Sequence, residues 1–111
     1  MPINTTQYKR VDLVEVTGRI DSNTAADLEA AFGAITSEDR YRIVVDMQNL
    51  EYISSRGLRA LISTLKATRR WNRGDLRLCN VPERILGVLD LAGLTPLFKM
   101  YDSAVDAVGS F

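Results

Sequence analysis

Residues 42–64 read Arg42-Ile-Val-Val-Asp-Met-Gln-Asn-Leu-Glu-Tyr-Ile-Ser-Ser-Arg-Gly-Leu-Arg-Ala-Leu-Ile-Ser-Thr64, and two periodicities meet inside them. Ile43, Val44 and Val45 are consecutive, apolar and β-branched, as in a strand covered on both faces. Leu58, Leu61, Ile62 and Leu65 then recur at i, i+3, i+4 and i+7, the spacing of one helix face. The stretch therefore predicts a strand over Tyr41–Met47, a loop over Gln48–Ile53 and a helix over Ser55–Trp71. Ser54 and Ser55 fall where that helix begins. A serine there can cap free backbone N–H groups. It can equally present a hydroxyl for modification, because a helix N-terminus stabilises an added phosphate.

Working outward, residues from Asn4 to Val16 read as two short strands with a tight turn near Lys9–Val11. The second strand, Val11–Val16, has its Leu13-Val14 pair out of strict alternation, which predicts burial on both faces. Gly18–Asn23 reads as a loop in which Asp21, Ser22 and Asn23 are each competent helix caps. A first helix over Asn23–Ile35 turns Ala25, Leu28, Phe32 and Ile35 inward and carries Asp27 and Glu29 near its start. Past the central stretch, Gly74 is a candidate left-handed cap. Asp75–Cys79 is a further strand, and Pro82 opens a helix holding Ile85, Leu86, Val88, Leu89 and Leu91. A last strand is expected over Pro96–Met100, and Tyr101-Asp-Ser opens a terminal helix. The order ββαβαβαβα implies parallel pairings made by right-handed crossovers, with one antiparallel hairpin at the start. The expected fold is α/β: one domain over residues 1–111, with a mixed sheet of four to five strands and about four helices mainly on one face.

The 111 residues balance 14 basic against 14 acidic side chains, which offers no electrostatic case for nucleic acid or an anionic membrane. Lys66, Arg69, Arg70 and Arg73 cluster at the end of the second predicted helix, where cations complement the helix dipole. The single cysteine, Cys79, rules out an internal disulfide and falls in a strand, where it acts as a small apolar residue. The first residues show no basic-then-apolar leader, and no apolar run approaches the roughly 20 residues of a spanning helix, so a cytoplasmic protein is expected.

Histidine is absent, which removes the usual general base of a hydrolytic triad. Asp21, Asp46 and Glu51 could meet at one end of the sheet, but their spacing matches no metal pattern. Gly57 stands alone, without a phosphate-binding glycine loop. No catalytic residue, metal or cofactor is expected. By spacing alone, Ser54 and Ser55 remain open between capping the helix and accepting a phosphate, which would add about −1.5 to −2 charges. Gly57 would let another backbone approach closely.

Three blocks resemble the STAS domain family, the anti-sigma factor antagonists of bacterial partner-switching systems. They are Gly18-Arg-Ile-Asp-Ser-Asn-Thr-Ala-Ala-Asp-Leu28, Ile43 through Leu61, and Val88-Leu-Asp-Leu-Ala-Gly-Leu-Thr-Pro-Leu-Phe-Lys-Met-Tyr-Asp-Ser103. Together they cover nearly the whole chain. The resemblance implies that an anti-sigma-factor-like serine kinase binds the unphosphorylated protein, phosphorylates it and releases it. A PP2C-type phosphatase then restores it. Aligned on Gly57, Ser55 takes the target position, with Ser54 the second choice. Ser54 stands where the commonest motif has Asp, and Arg56 where it has a small residue. The implied partner surface comprises Asp21, Ser22, Asn23, Tyr52, Ser54, Ser55, Arg56, Gly57, Leu58 and Arg59. ATP and metal would belong to the kinase and phosphatase. A constitutive STAS scaffold in a transporter or sensory complex is the competing reading, in which the serines only cap.

Overall fold

The structure, a computed structural model, describes residues 2–111. Five strands form one sheet in the order β1-β2-β3-β4-β5: β1 Ile3–Gln7, β2 Asp12–Ile20, β3 Arg42–Ile53, β4 Asp75–Cys79 and β5 Met100–Tyr101. β1 pairs antiparallel with β2, and the other three pairings are parallel. The helices are α1 Ser22–Thr36, α2 Ser55–Arg69, α3 Glu83–Leu91 and α4 Ala104–Gly109.

Alternation along the strands explains the layers. Val14, Val16, Ile43, Val45, Met47, Leu76 and Leu78 face one side, where they pack with Ala25, Leu28 and Phe32 of α1, Leu61 and Leu65 of α2, and Ile85 and Leu89 of α3. Leu13, Val44 and Cys79 face the other side, covered by Ala107 of α4. Three helices thus lie on one face and the short α4 on the other. The triplet Ile43-Val44-Val45 is fully buried because it is covered from both sides.

Several boundaries differ from the sequence reading. Gly18–Ile20 belongs to β2, and residues 48–53, read as a loop, continue β3. The cause is two register shifts against β2, between Glu15 and Thr17 and between Gly18 and Arg19. Each shift places an extra residue in β3, so its buried positions Met47, Leu50 and Ile53 fall three apart instead of two. α2 ends at Arg69 and a 3-10 turn follows over Arg70–Asn72. Gly74 is not the left-handed cap: Trp71 and Asn72 take positive φ instead. Gly74 is required for space, because a Cβ there would lie 1.9 Å from the Tyr41 carbonyl oxygen. Pro96 sits in a 3-10 turn over Thr95–Leu97 rather than in a strand, consistent with its missing N–H. Asp27 and Glu29 lie beyond the first turn of α1. Among the described residues, no helix is long and apolar enough to cross a membrane.

Candidate functional site

Parallel strands β2 and β3 end side by side, Ile20 opposite Ile53, and each passes directly into a helix. The Ser54 N–H donates to the Ile20 carbonyl at 2.8 Å, so the ladder runs up to the first residue of the second crossover. The N-termini of α1 and α2 are therefore neighbours outside the carboxyl ends of the strands, the usual place for function in an open α/β sheet.

The α1 start is held by a reciprocal cap. The Asp21 carboxylate accepts from the Asn23 and Thr24 N–H groups, each at 3.0 Å, and Thr24 Oγ1 accepts from the Asp21 N–H at 2.7 Å. Of the three candidate caps, Asp21 is the one used. Hydrogen bonds from Thr24, backbone and side chain, then from the Asn23 backbone, together with the Arg19 charge hold its carboxyl below the ordinary 3.8.

The two serines have different roles. Ser54 is the N-cap of α2, half-buried, with Oγ accepting from the Gly57 N–H at 3.2 Å. Ser55 is the first helical residue and is exposed. Among the described residues, its hydroxyl has no hydrogen-bond partner. The first turn of α2 contains no acidic residue, so its positive dipole end is not offset by its own side chains. Arg59 lies one turn further along at i+4, exposed.

Arg56 is turned away from Ser55. Its Nε donates to Glu29 Oε1 at 2.9 Å and one terminal nitrogen donates to the Ser22 carbonyl at 3.2 Å, so it bridges α2 to α1. Both partners are nearly half exposed, so the bridge contributes about 0–1 kcal/mol and acts mainly as a positioning contact. Gly57 is buried and faces the protein's own Ile53 and Ile20, not an incoming backbone. Leu58 is half-buried against the core. Tyr52 is 41% exposed on β3, with the Arg19 guanidinium 4.3 Å from its ring centre.

The structure thus gathers Asp21, Ser22, Asn23, Tyr52, Ser54, Ser55, Arg56 and Arg59 at one end of the sheet, and sends Gly57 and Leu58 inward. Arg19 and Glu29 were not among the residues picked from the sequence. Arg19 stood inside the Gly18–Leu28 block, whereas nothing in the sequence linked Glu29 to Arg56, 27 positions away. The Asp46 carboxylate accepts from the Gln48 N–H at 3.0 Å and the Asn80 side-chain amide at 3.2 Å, apart from Asp21 and Glu51 in any shared cluster. Among the described residues, no three His, Cys, Asp or Glu side chains are grouped to hold a metal ion.

The STAS domain profile matches residues 2–107. The chain belongs to the STAS domain family. It is 32% identical over 94 residues to BtrV of Bordetella bronchiseptica, a candidate anti-sigma factor antagonist, covering 85% of this chain and 80% of that one. It is 33% identical over 87 residues to the anti-sigma-B factor antagonist of Staphylococcus epidermidis, covering 78% and 80%. An anti-sigma factor antagonist from Mycobacterium paratuberculosis superposes with a TM-score of 0.84 at 26% identity, over 97% of this STAS chain and 91% of that structure. The phosphorylated form of the Bacillus cell fate determinant SpoIIAA shares the fold, with a TM-score of 0.77 at 14% identity and 97% of each chain covered.

Proposed function

We propose that this STAS protein is a cytoplasmic anti-sigma factor antagonist that works by partner switching. Unphosphorylated, it binds an anti-sigma factor that is also a serine kinase. Transfer of the γ-phosphoryl group of ATP to Ser55 Oγ, with loss of the hydroxyl proton and release of ADP, ends the complex. A PP2C-type phosphatase hydrolyses the phosphoserine and restores binding. The observation that carries this reading is the unequal use of the two serines: Ser54 Oγ is engaged in the cap and Ser55 Oγ is exposed and uncommitted.

The surroundings support a phosphate at Ser55. The N-terminal N–H groups and dipole of α2 favour negative charge, and Arg59 is an i+4 partner for it. Arg56, bulky and cationic, is drawn onto Glu29 and the Ser22 carbonyl and leaves the hydroxyl open. The fold would tolerate the modification, so its effect would fall on a partner docked across the two helix starts, which would meet about −1.5 to −2 new charges.

The test pairs the protein with its anti-sigma factor kinase, ATP and magnesium, and follows intact mass. One phosphate is expected on the natural chain and on Ser54→Ala, and none on Ser55→Ala. Ser55→Asp should bind the kinase about tenfold or more weakly. A phosphate that survives Ser55→Ala refutes the assignment. A complex indifferent to Ser55→Asp refutes the switch.

A further inference from the structure

The whole chain has no net charge, yet the fold separates its charges. The end of the sheet opposite Ser55 is built from the β1–β2 turn, the α1–β3 connection and the α2–β4 connection. These are tied into one surface. The Arg40 guanidinium donates to the Tyr8 carbonyl at 2.7 Å and the Lys9 carbonyl at 3.4 Å. The Asp75 N–H donates to the Tyr41 carbonyl at 3.0 Å, and the Arg73 guanidinium lies 3.6 Å from the Tyr41 ring centre. Lys9, Arg10, Arg40, Arg42, Lys66, Arg69, Arg70 and Arg73 lie on these segments or on the strand and helix ends they join, against Asp12, Glu38, Asp39 and Asp75. Asp12 is buried and paired with Arg40; Asp75 is buried and paired with Arg69 and Arg77. Arg77 itself runs to Ser110 on the far side of the sheet. Eight cations therefore face four carboxylates, two of them already occupied, and the remainder of the molecule carries the balancing negative charge.

Trp71 stands in this pole with 80% of its surface exposed. Its backbone is left-handed, φ 56° and ψ 28°, and Asn72 follows at φ 56°. That conformation is strained for a non-glycine residue, and the solvent-exposed indole recovers little of the strain by packing. Arg70 and Arg73 lie 5.5 and 5.4 Å from the indole. A neighbouring groove has an apolar floor of Ile62, Leu65 and Leu97 and a cationic rim of Lys66, Arg69 and Arg70. Among the described residues, Lys66 and Arg70 have no acidic partner. An exposed Trp beside arginines is the composition of interface hot spots.

We propose that this pole is a docking surface for an acidic segment of a partner protein, laid across Trp71 with an apolar side chain entering the groove between Lys66 and Leu97. The geometry favours a polypeptide over a lipid surface. Arg69 is fixed by Asp75 and the Leu97 carbonyl, and Arg73 by two bonds to the Ala67 carbonyl, each with a terminal nitrogen to spare. Such positioned forks suit individual carboxylates. Trp71 stands between Arg70 and Arg73 rather than within the broad apolar face that membrane insertion needs. Along α2, Lys66 lies about 16 Å from Ser55 and Arg69 about 21 Å. That is about two Debye lengths or more in physiological salt, so charge at Ser55 is largely screened from the cationic rim. The proposal does not rest on the antagonist reading.

Trp71 is the only tryptophan, so its emission reports on this surface alone. The intact protein is titrated with a glutamate-rich peptide carrying leucine at every fourth position, and separately with phosphatidylcholine–phosphatidylglycerol vesicles and with oligothymidylate. A saturable emission change is expected with the peptide, weakening as salt rises. Lys66→Glu with Arg70→Glu should weaken it about tenfold or more, and Arg84→Glu at the far end should leave it unchanged. If the double reversal is not folded by circular dichroism, Arg70→Gln replaces it and must still weaken binding. No saturable change with the peptide, tighter binding of vesicles or oligonucleotide than of peptide, or indifference to the Lys66 and Arg70 changes would each overturn the proposal.

Discussion

Gly57→Ala is expected to destabilise the protein, although alanine is the better helix former. A Cβ at position 57 would lie 2.7 Å from Ile53 Cγ1, 3.0 Å from Ile20 Cγ2 and 3.2 Å from Ile53 Cδ1. Both isoleucines are buried, are stiff at χ1, and face each other across the β2–β3 ladder, so neither can turn aside cheaply. Overpacking of this kind costs about 1–3 kcal/mol. Helix propensity returns at most about 1 kcal/mol, less in a first turn. The net expectation is a loss of about 1–2 kcal/mol. Gly33→Ala is the matched control. Gly33 is also helical, but it is exposed and a Cβ there meets nothing within 4 Å. It should gain about 0.5–1 kcal/mol. Urea unfolding of the two variants beside the natural chain measures both signs; in melting temperature they should separate by several degrees. A Gly57→Ala protein as stable as the natural chain, or two substitutions of the same sign, would refute the claim that Gly57 seats the start of α2 on Ile20 and Ile53.

Three further outcomes follow from the same end of the sheet and its core. Ser54→Ala should cost about 1 kcal/mol in urea unfolding, because it removes the cap on the Gly57 N–H, whereas Ser55→Ala should fall within about 0.5 kcal/mol of the natural chain; equal losses would contradict the division of roles. Asp21→Asn keeps a capping oxygen and removes the charge. Since the folded carboxyl titrates below 3.8, the natural chain's advantage should be fully present above that value and vanish as pH falls through the folded pKa; an advantage that persists in strong acid refutes the ionic part of the cap. Burial, reinforced by the charges of Asp46 and Glu15, pushes the Cys79 thiol up from 9.0 to about 12, so iodoacetamide at pH 8 should label it only after unfolding. Its contribution to stability should be complete below pH 9.0 and decline between there and about 12; rapid labelling of the native protein would contradict its burial.

Where local rules suffice, the sequence reading and the structure agree. The stripe Ala25, Leu28, Phe32 and Ile35 buries as a helix face, and Ile43-Val44-Val45 is covered on both sides. The reading failed at β3, where bulges turn a period of two into a period of three and make Met47-Gln-Asn-Leu50-Glu-Tyr-Ile53 resemble a loop. It also failed at Gly74, whose role depends on a carbonyl 33 positions away rather than on its own φ. The distribution of charge needed the fold for a similar reason: the cluster Lys66, Arg69, Arg70 and Arg73 is visible in the sequence, whereas its closeness to Lys9, Arg10 and Arg40 follows from strand pairing.

Hydrophobic periodicity and turn chemistry are short-range properties, so the sequence alone was enough for the element order, the α/β class, the family resemblance and the location of the paired serines. Spacing left Ser54 and Ser55 open, because both are competent caps and acceptors, and the resemblance alone ranked Ser55 first. The tertiary structure gives them physically different roles. Pairing Ile20 with Ile53 fixes where the helix begins, which commits Ser54 to the Gly57 N–H and leaves Ser55 outside. The same packing brings Glu29 within reach of Arg56 and clears the cation from the hydroxyl. Those contacts join residues far apart in the chain, and no local pattern specifies them.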